Sequence, residues 1–276
     1  MKREDIALTI FLAALTVGLY FPTMRWLLVA WLNNEYYSHG LLLLPVSLLL
    51  VWLARKRVRQ ASVERGYWGT AALVFACSLY LVGFLMHQPT ILAFSLLFFI
   101  TALALQFLGT QKTKPLLFPI FLLAFAIPLP AFEQLGILLQ ELSASGATAL
   151  TGLFGMDVSS SGNSITIGGD TYDVALACSG LNRIMPLFSL TAILAYVFQG
   201  HMFKRLFLLV LVVPFALFSN ILRITITLFV GSTCGAEVAL GFFHNFSSIV
   251  LFILALAPII LVAYLMNILR VSRLAG

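Results

Sequence analysis

Eight apolar runs, most of them close to the length that crosses a lipid bilayer, dominate this sequence. They lie at about 6–24, 40–54, 67–86, 90–109, 115–130, 180–199, 206–230 and 245–268. A spanning helix needs about 20 mainly apolar residues, because the bilayer interior offers no partner to free backbone groups. Charged residues make up only 9% of the 276 residues, against about 25% in soluble domains. We therefore predict an all-α polytopic membrane protein of about eight transmembrane helices, forming a single integral membrane domain over residues 1–276.

Basic residues collect in alternate loops of this arrangement. Of the 16 Lys and Arg residues, all but Arg25, Arg183 and Arg223 lie near the N-terminus, after the second, fourth and sixth runs, or after the last run. Because Lys and Arg accumulate in cytoplasmic loops, we predict that both termini are cytoplasmic. The first run lacks a small-residue cleavage site after it, so an uncleaved helix is expected. Topology accounts for the net charge of +6, which gives no reason to expect nucleic acid as a partner.

The stretch Ala131–Ala177 is predicted to lie outside the cytoplasm. Its first part, Phe132–Leu153, has helical spacing and few charges, which is typical of a small helix at the membrane surface. Glycine and asparagine residues then separate two short alternating runs, Ser164–Ile167 and Asp173–Leu176. This pattern predicts a small β-hairpin. The hairpin would deliver Cys178 to the membrane surface at the start of the sixth run.

Cys178 is the first candidate nucleophile, because it lies where a polar segment enters a membrane helix. A thiol attacks as the thiolate and needs a base or a cation nearby. Ser179 is intrinsically the poorer nucleophile, and Cys77, in the middle of a run, is expected to be a packing residue. Cys234 stays open as a rival nucleophile or as a disulfide partner of Cys178. Its charged neighbour Glu237 disfavours a thiolate.

Two further polar side chains are predicted in the outer part of the membrane. The seventh run ends near Val230, seven residues after Arg223, which places the Arg223 backbone roughly 10 Å below the outer surface. A charged residue inside a membrane helix indicates function, although snorkelling to the headgroups is an alternative. His244 lies where the last helix is predicted to begin, after an outer loop over Ser232–Phe243, and an imidazole suits a general base.

Four more residues are kept as supporting or substrate-binding candidates: His39, Asn182, Arg183 and Asn220. Asn220 shares a helix face with Arg223 and either orients its guanidinium or bonds a neighbouring helix. Arg183 lies off the face of Cys178 and is expected to cap the interface. His39 either contacts the substrate, supports a catalytic residue, or is a plain loop residue. No zinc-ligand spacing, phosphate loop or dinucleotide fingerprint occurs. We therefore expect neither a metal nor a cofactor.

Five short motifs, taken in order, resemble the exosortase and archaeosortase family: Tyr37–Gly40, Phe125–Pro130, Ala177–Gly180, Asn220–Ile224 and His244. Members of that family are polytopic membrane cysteine transpeptidases. They process exported proteins with a C-terminal sorting signal, which consists of a short motif such as Pro-Glu-Pro, a hydrophobic helix and a basic tail. The resemblance implies Cys178 as nucleophile, Arg223 as essential arginine and His244 as third member.

Histidine at the third position is typical of bacterial members of the family, which implies a multi-pass protein of the bacterial cytoplasmic membrane with an extracytoplasmic active site. The Asn-Phe-Ser-Ser segment after His244 lacks the glycine of the family pattern. The implied partners are signal-bearing protein substrates and membrane lipid.

The chemistry that follows from these residues is acyl transfer. Cys178 would attack a peptide carbonyl, His244 would accept the thiol proton, and Arg223 would stabilise the thiolate or the oxyanion. Water or an amine would resolve the acyl-enzyme. A membrane transporter with an outer polar gate around Arg223 is the main alternative, but no polar path crosses the inner half of the late helices. A non-catalytic assembly protein is the third interpretation.

Overall fold

A computed structural model describes the backbone of residues 3–64, 66–167, 170–173, 181–198 and 201–266. Side chains are described over the same ranges except at 3–10, 131–133, 170, 172–173, 181–183 and 236–249. Within these ranges the chain forms nine α-helices, a short 3₁₀ helix and a three-stranded sheet. It divides into two compact units, one ending at Pro128 and one beginning at Leu129.

The first unit is entirely helical over its described residues. Its elements are α1 (Arg3–Asn33), α2 (Gly40–Gln60), α3 (Trp68–Leu85), α4 (Pro89–Leu108), α5 (Thr110–Leu122) and the 3₁₀ helix Leu123–Ala126. The first five apolar runs are thus helical, as predicted. The helical segment that begins with α5 stops at Ala126, because Pro128 and Pro130 have no amide hydrogen with which to continue it.

Helices α3 and α4 pack closely along a stripe of small residues. Gly69, Ala76 and Gly83 are buried and follow one another at seven-residue intervals along α3. A Cβ atom on Gly69 would meet the backbone of Gln106 at 2.7 Å, and one on Gly83 would meet the backbone nitrogen of Leu92 at 3.0 Å. Small residues at such an interface let two membrane helices approach backbone to backbone. This stripe was not recognised in the sequence.

Two of the predicted cytoplasmic loops of the first unit meet at Glu64. The backbone oxygen of Glu64, in the α2–α3 loop, accepts a hydrogen bond from the backbone N–H of Thr110 at 3.0 Å. The Glu64 carboxylate accepts a second from Nε2 of Gln111 at 2.8 Å. The basic loops after α2 and α4 therefore lie at the same end of this unit, as the alternation of charge requires.

The second unit combines helices with a small sheet. Its elements are α6 (Ala131–Leu153), β1 (Val158–Ser161), β2 (Ser164–Ile167), β3 (Asp170–Asp173), α7 (Leu181–Val197), α8 (Met202–Cys234) and α9 (Ala236–Leu265). The strands form an antiparallel meander in the order β1-β2-β3, with Ser161 opposite Ser164 and Ile167 opposite Asp170.

The described sheet differs in detail from the predicted hairpin, because it has three strands and β3 covers Asp170–Asp173. Residues 174–176 of the predicted second strand lie outside the described residues. A two-residue turn joins β1 to β2, and Gly162 there has φ +60°. Only Gly162 of the two turn residues has a positive φ, which is the pattern of a type II′ hairpin turn. The sequence reasoning missed β1 because its serines carry no apolar alternation.

Helices α8 and α9 form a hairpin whose turn is much tighter than predicted. Residues 232–243 were expected to form an outer loop, but α8 continues to Cys234 and α9 begins at Ala236. Gly235 alone connects the two helices, with φ +92°, which suits glycine. The polar residues near this turn lower the local hydropathy but remain compatible with a helix, so the apolar runs underestimated both helices.

Four helices in the described part of the chain are long and apolar enough to cross a membrane: Phe11–Asn33, Trp68–Leu85, Pro89–Leu108 and Met202–Cys234. Shorter apolar helical stretches cover Ile184–Val197 and Val250–Leu265. All eight predicted runs therefore contain helix, but the count of eight spanning helices is not confirmed. Helix α2 ends in a run of basic residues, and α5 has only 13 residues.

Candidate functional site

Arg223 lies on α8 with its side chain only 7% exposed. Helix α8 continues for 11 residues beyond it, to Cys234, so the Arg223 backbone is about 17 Å from that end of the helix at 1.5 Å per residue. The sequence interpretation took this helix to end near Val230, which is four residues before its end at Cys234. A side chain that snorkels along lipid is exposed on the outer surface of its helix, whereas Arg223 is enclosed by protein.

The guanidinium of Arg223 has no recorded ionic partner within the described part of the chain. Neither an ion pair nor a side-chain hydrogen bond to it occurs among the residues whose side chains are described. Burying a charge without a partner is costly. Such a group indicates a site that is completed by a substrate, by a reacting group or by residues outside the described ranges.

Asn220 lies one helical turn before Arg223 and connects α8 to α6. Its Nδ2 donates a hydrogen bond to Oγ of Ser143 at 2.9 Å, and the two side chains are 1% and 0% exposed. The sequence left two roles open for Asn220. The structure shows a bond to a neighbouring helix, and a role in orienting Arg223 stays a prediction. Residues three apart on a helix share a face, so this bond lies directly beside Arg223.

Ser219, the residue before Asn220, connects α8 to α9. Its Oγ donates a hydrogen bond to the backbone oxygen of Leu251 at 2.8 Å. Ser219 and Leu251 are each 16 residues from Gly235. Residues of α8 and α9 that are equally far from Gly235 in the chain therefore lie at about the same level of the hairpin. The backbone of His244 is therefore about one helical turn nearer to Gly235 than that of Arg223, roughly 4.5 Å along the helix.

Two apolar clusters enclose this polar layer of α8 from both ends. Toward Gly235, residues of α6, β2 and α8 pack together: Ala144, Ala147, Ile165, Ile167, Ile224 and Leu228. Toward the start of α8, buried residues of α7, α8 and α9 form a second cluster: Ile184, Leu187, Leu208, Val212, Ala216, Ala255, Ile259 and Ala263. Electrostatic interactions are stronger in such surroundings than in water, so Arg223 acts strongly on any negative charge that comes near it.

The other members of the predicted catalytic set fall outside what is described. Cys178 belongs to residues 174–180, between β3 and α7. The backbone of His244 lies within α9, and those of Asn182 and Arg183 lie in the first turn of α7, but their side chains are outside the described ranges. The convergence of Cys178, Arg223 and His244 therefore remains a prediction.

The two other cysteines are free and exposed. Cys234 is the last residue of α8 and accepts a hydrogen bond from Oγ1 of Thr233 at 3.6 Å. Its distance along α8, about 17 Å from the level of Arg223, makes it a poor partner for that guanidinium. Cys77 is exposed on α3, so the expectation that it packs inside the protein was wrong.

His39 lies in the turn before α2, in the first unit. Its Nε2 is 3.0 Å from the backbone oxygen of Phe125, and because a carbonyl only accepts, Nε2 carries the hydrogen. Burial lowers the pKa of His39 below its usual range, and the backbone oxygens of Phe125 and Tyr36 offset this only in part. The neutral ring therefore caps a helix end, and the supporting or substrate-binding role of His39 stays a prediction.

Sequence reasoning also missed Ser143 and Ser219, which hold α8 to its two neighbours. The signal for Ser143 was available in the small residues Ser143–Ala147, because such a run lets helices pack closely. No comparable signal marks Ser219. Among the residues with described side chains, no three His, Cys, Asp or Glu side chains come together as a metal site.

The chain matches a known family over most of its length. The family model described as transmembrane exosortase matches residues 31–261, a range that contains α2 to α8 entire and most of α9. A search of curated proteins and a search of solved structures found no match. The match agrees with the motifs seen in the sequence and with the apolar helices of the structure. This chain belongs to the transmembrane exosortase family.

Proposed function

We propose that this protein is a membrane-embedded cysteine protease or transpeptidase that cleaves the C-terminal sorting signals of exported proteins. The reaction would take place at the outer face of the bacterial cytoplasmic membrane, with both termini in the cytoplasm. The observation that carries the proposal is the buried guanidinium of Arg223, which has no anionic partner in the described part of the chain. In a family of cysteine transpeptidases, a buried cation of this kind fits the stabilisation of negative charge during acyl transfer.

The proposed reaction uses three residues. Cys178 attacks the carbonyl carbon of the scissile peptide bond, and His244 accepts the thiol proton and later passes it to the leaving amine. Arg223 stabilises the thiolate before attack or the tetrahedral oxyanion after it. A guanidinium suits this position because it keeps its charge when buried. The acyl-enzyme is then resolved by water or by an amine.

The position of His244 along α9 supports its place in this set. Its backbone is about one turn from the level of Arg223 in the same helix hairpin, a separation of roughly 4.5 Å along the axis. Arginine and histidine side chains each extend several ångströms from the backbone. The axial separation is therefore compatible with contact between both side chains and a common substrate group.

The transporter alternative needs a polar path through the membrane. In the described part of the second unit, the segment of α8 that precedes Asn220 is enclosed by the apolar cluster around Leu208, Val212 and Ala216. A substrate that reached Arg223 from the outside would meet this cluster next. The packing therefore favours a site that is entered from one side, as a membrane protease requires.

The test compares two cysteine variants in membranes that contain a protein with a C-terminal sorting signal. Cys178→Ala should abolish cleavage of that protein while the enzyme still accumulates. Cys234→Ala is the matched control, because it makes the same chemical change at an exposed free thiol, and it should cleave at nearly the wild-type rate. Loss of cleavage in the Cys234 variant alone would show that Cys234, and not Cys178, is the nucleophile.

A further inference from the structure

We propose that Ser143 of α6 is a positioning residue for Arg223, which it influences through Asn220. The proposal rests on the proposed function, because it concerns the same guanidinium. Ser143 lies outside all the motifs that resemble the family. It enters the site only because α6 packs against α8.

The Ser143–Asn220 hydrogen bond is the first part of the argument. The two atoms, Oγ of Ser143 and Nδ2 of Asn220, are 2.9 Å apart, and both side chains are fully enclosed. A buried amide that loses its partner must find another one or remain unsatisfied, and both outcomes change its orientation. Ser143 therefore helps to hold the Asn220 side chain in place.

The helical spacing connects this bond to Arg223. Residues i and i+3 are neighbours on a helix surface, so the Asn220 amide limits the space into which the Arg223 side chain leaves the helix. Long side chains on a helix also point back toward the preceding turn, which is the turn that carries Asn220. An Asn220 amide held by Ser143 is thus one wall of the guanidinium site.

Helix α6 contacts α8 beside this bond. A Cβ atom on Gly146, one turn after Ser143, would meet Cδ1 of the Ile221 side chain at 2.6 Å, so the two helices are in close contact there. Ser219 holds the other side of α8 through its 2.8 Å bond to Leu251 of α9. With α8 held on both sides, its rotation about its own axis is restricted. This rotation sets the direction in which the Arg223 side chain leaves the helix.

The role predicts a loss of turnover rather than of substrate binding. Removing a stabilising donor outright costs about 100- to 1000-fold in rate, whereas misplacing it costs less. We expect Ser143→Ala to lower kcat for cleavage about 10-fold with little change in KM. Ser145→Ala is the matched control on the same helix, because Ser145 is exposed and donates a hydrogen bond to the backbone oxygen of Leu142 on its own helix. It should cleave at the wild-type rate.

A double-mutant cycle separates positioning from a general structural role. If Ser143 acts through Asn220, adding Ser143→Ala to Asn220→Ala should cause no further loss of kcat. Independent effects that multiply would overturn the proposal, and so would equal rates in the Ser143→Ala and Ser145→Ala variants. Failure of the wild-type enzyme to cleave any signal-bearing protein would instead contradict the proposed function itself.

A second pair of variants covers the case in which Ser143→Ala does not accumulate in the membrane. Ser143→Thr and Ser143→Val have nearly the same shape, but only threonine keeps the hydroxyl group. The proposal expects the valine variant to be about 10-fold slower than the threonine variant at matched enzyme levels. Equal rates in this pair would show that the hydroxyl does not position Arg223.

Discussion

The indole nitrogen of Trp31 lies 2.8 Å from the backbone oxygen of Ala126 and donates a hydrogen bond to it. Ala126 is the last residue of the 3₁₀ helix, and backbone oxygens at a helix end need partners outside the helix. The neighbouring oxygen of Phe125 is capped by His39. The His39–Phe125 bond therefore joins two of the motifs that resemble the family, Tyr37–Gly40 and Phe125–Pro130.

Removing the His39 cap should destabilise the first unit. In His39→Ala the oxygen of Phe125 loses its partner, which typically costs about 1–3 kcal/mol for a buried polar group. His39→Gln should be much milder, because its Nε2 keeps a donor at a similar distance from the backbone. The measurement is the unfolding temperature of the purified protein in detergent. Equal destabilisation by alanine and glutamine would mean that the ring packs rather than caps.

The lowered pKa of His39 also predicts a dependence of stability on pH. The unfolded chain takes up a proton on this histidine near pH 6.5, whereas the folded protein does so only at lower pH. Stability is therefore complete above about pH 6.5 and falls as the pH decreases from there toward the folded pKa.

The control for this pH effect is a second histidine. His39→Gln should remove part of the decrease in unfolding temperature between about pH 7 and pH 5. His87→Gln makes the same change at an exposed turn residue and should leave the decrease unchanged. An identical pH profile for wild type and the His39 variant would contradict the assignment.

Hydropathy identified the helices well and their ends poorly. The apolar runs correspond to helices because a membrane span must satisfy its own backbone hydrogen bonds. Those runs report the apolar length rather than the helix length, so the continuation of α8 to Cys234 and the start of α9 at Ala236 were missed. Arg223 and Asn220 were found because a polar residue stands out in an apolar run.

The partners of those residues were not found, for a different reason. Ser143 is 77 residues from Asn220 in the chain, and Phe125 is 86 residues from His39. A serine in a helix or a carbonyl before a proline gives no local sign of its partner. Only the packing of α6 on α8, and of α2 on the end of α5, brings them together.

The small-residue stripe of α3 gives a further prediction. Gly69→Ala should destabilise the protein, because the new methyl group would meet the backbone of Gln106 on α4, which cannot move away as a side chain can. Gly18→Ala is the matched control, since a Cβ there meets nothing within 4 Å. Alanine is the better helix former by about 1 kcal/mol, so the control variant should be unchanged or slightly more stable.

These two glycine variants are compared by thermal unfolding in detergent at equal protein concentration. A decrease in unfolding temperature for the Gly69 variant alone assigns the effect to the α3–α4 contact. Similar behaviour of the two variants would show that the helices separate without cost and that the stripe is not a close interface.

The topology is tested by labelling single cysteines from outside the cell with a reagent that does not cross membranes. Cysteine at Ser160 or Ser232 should react, and cysteine at Gln60 should not. All three positions are exposed, so burial does not account for a difference between them. Reaction of the Gln60 variant in intact cells would reverse the charge-based orientation and move the proposed site to the cytoplasmic side.

Arg223→Lys distinguishes the two interpretations of the buried arginine. Lysine keeps a positive charge but loses the planar arrangement of donors, and a buried lysine sheds its proton more readily. If Arg223 served only to anchor α8 at the membrane surface, lysine would replace it well, since both side chains snorkel. Its burial about 17 Å from the end of the helix argues against that role.

The expected result for Arg223→Lys is an enzyme that accumulates normally and cleaves signal-bearing protein about 100- to 1000-fold more slowly, the usual cost of losing an oxyanion donor. Arg25→Lys is the matched control, because Arg25 is exposed on α1 and needs only its charge. Cleavage rates are compared at equal enzyme levels in membranes. A residue that stabilises a thiolate or an oxyanion must keep its geometry as well as its charge. Near-wild-type cleavage by the Arg223 variant would therefore exclude the guanidinium from the chemistry and leave Cys178 and His244 to act as a dyad.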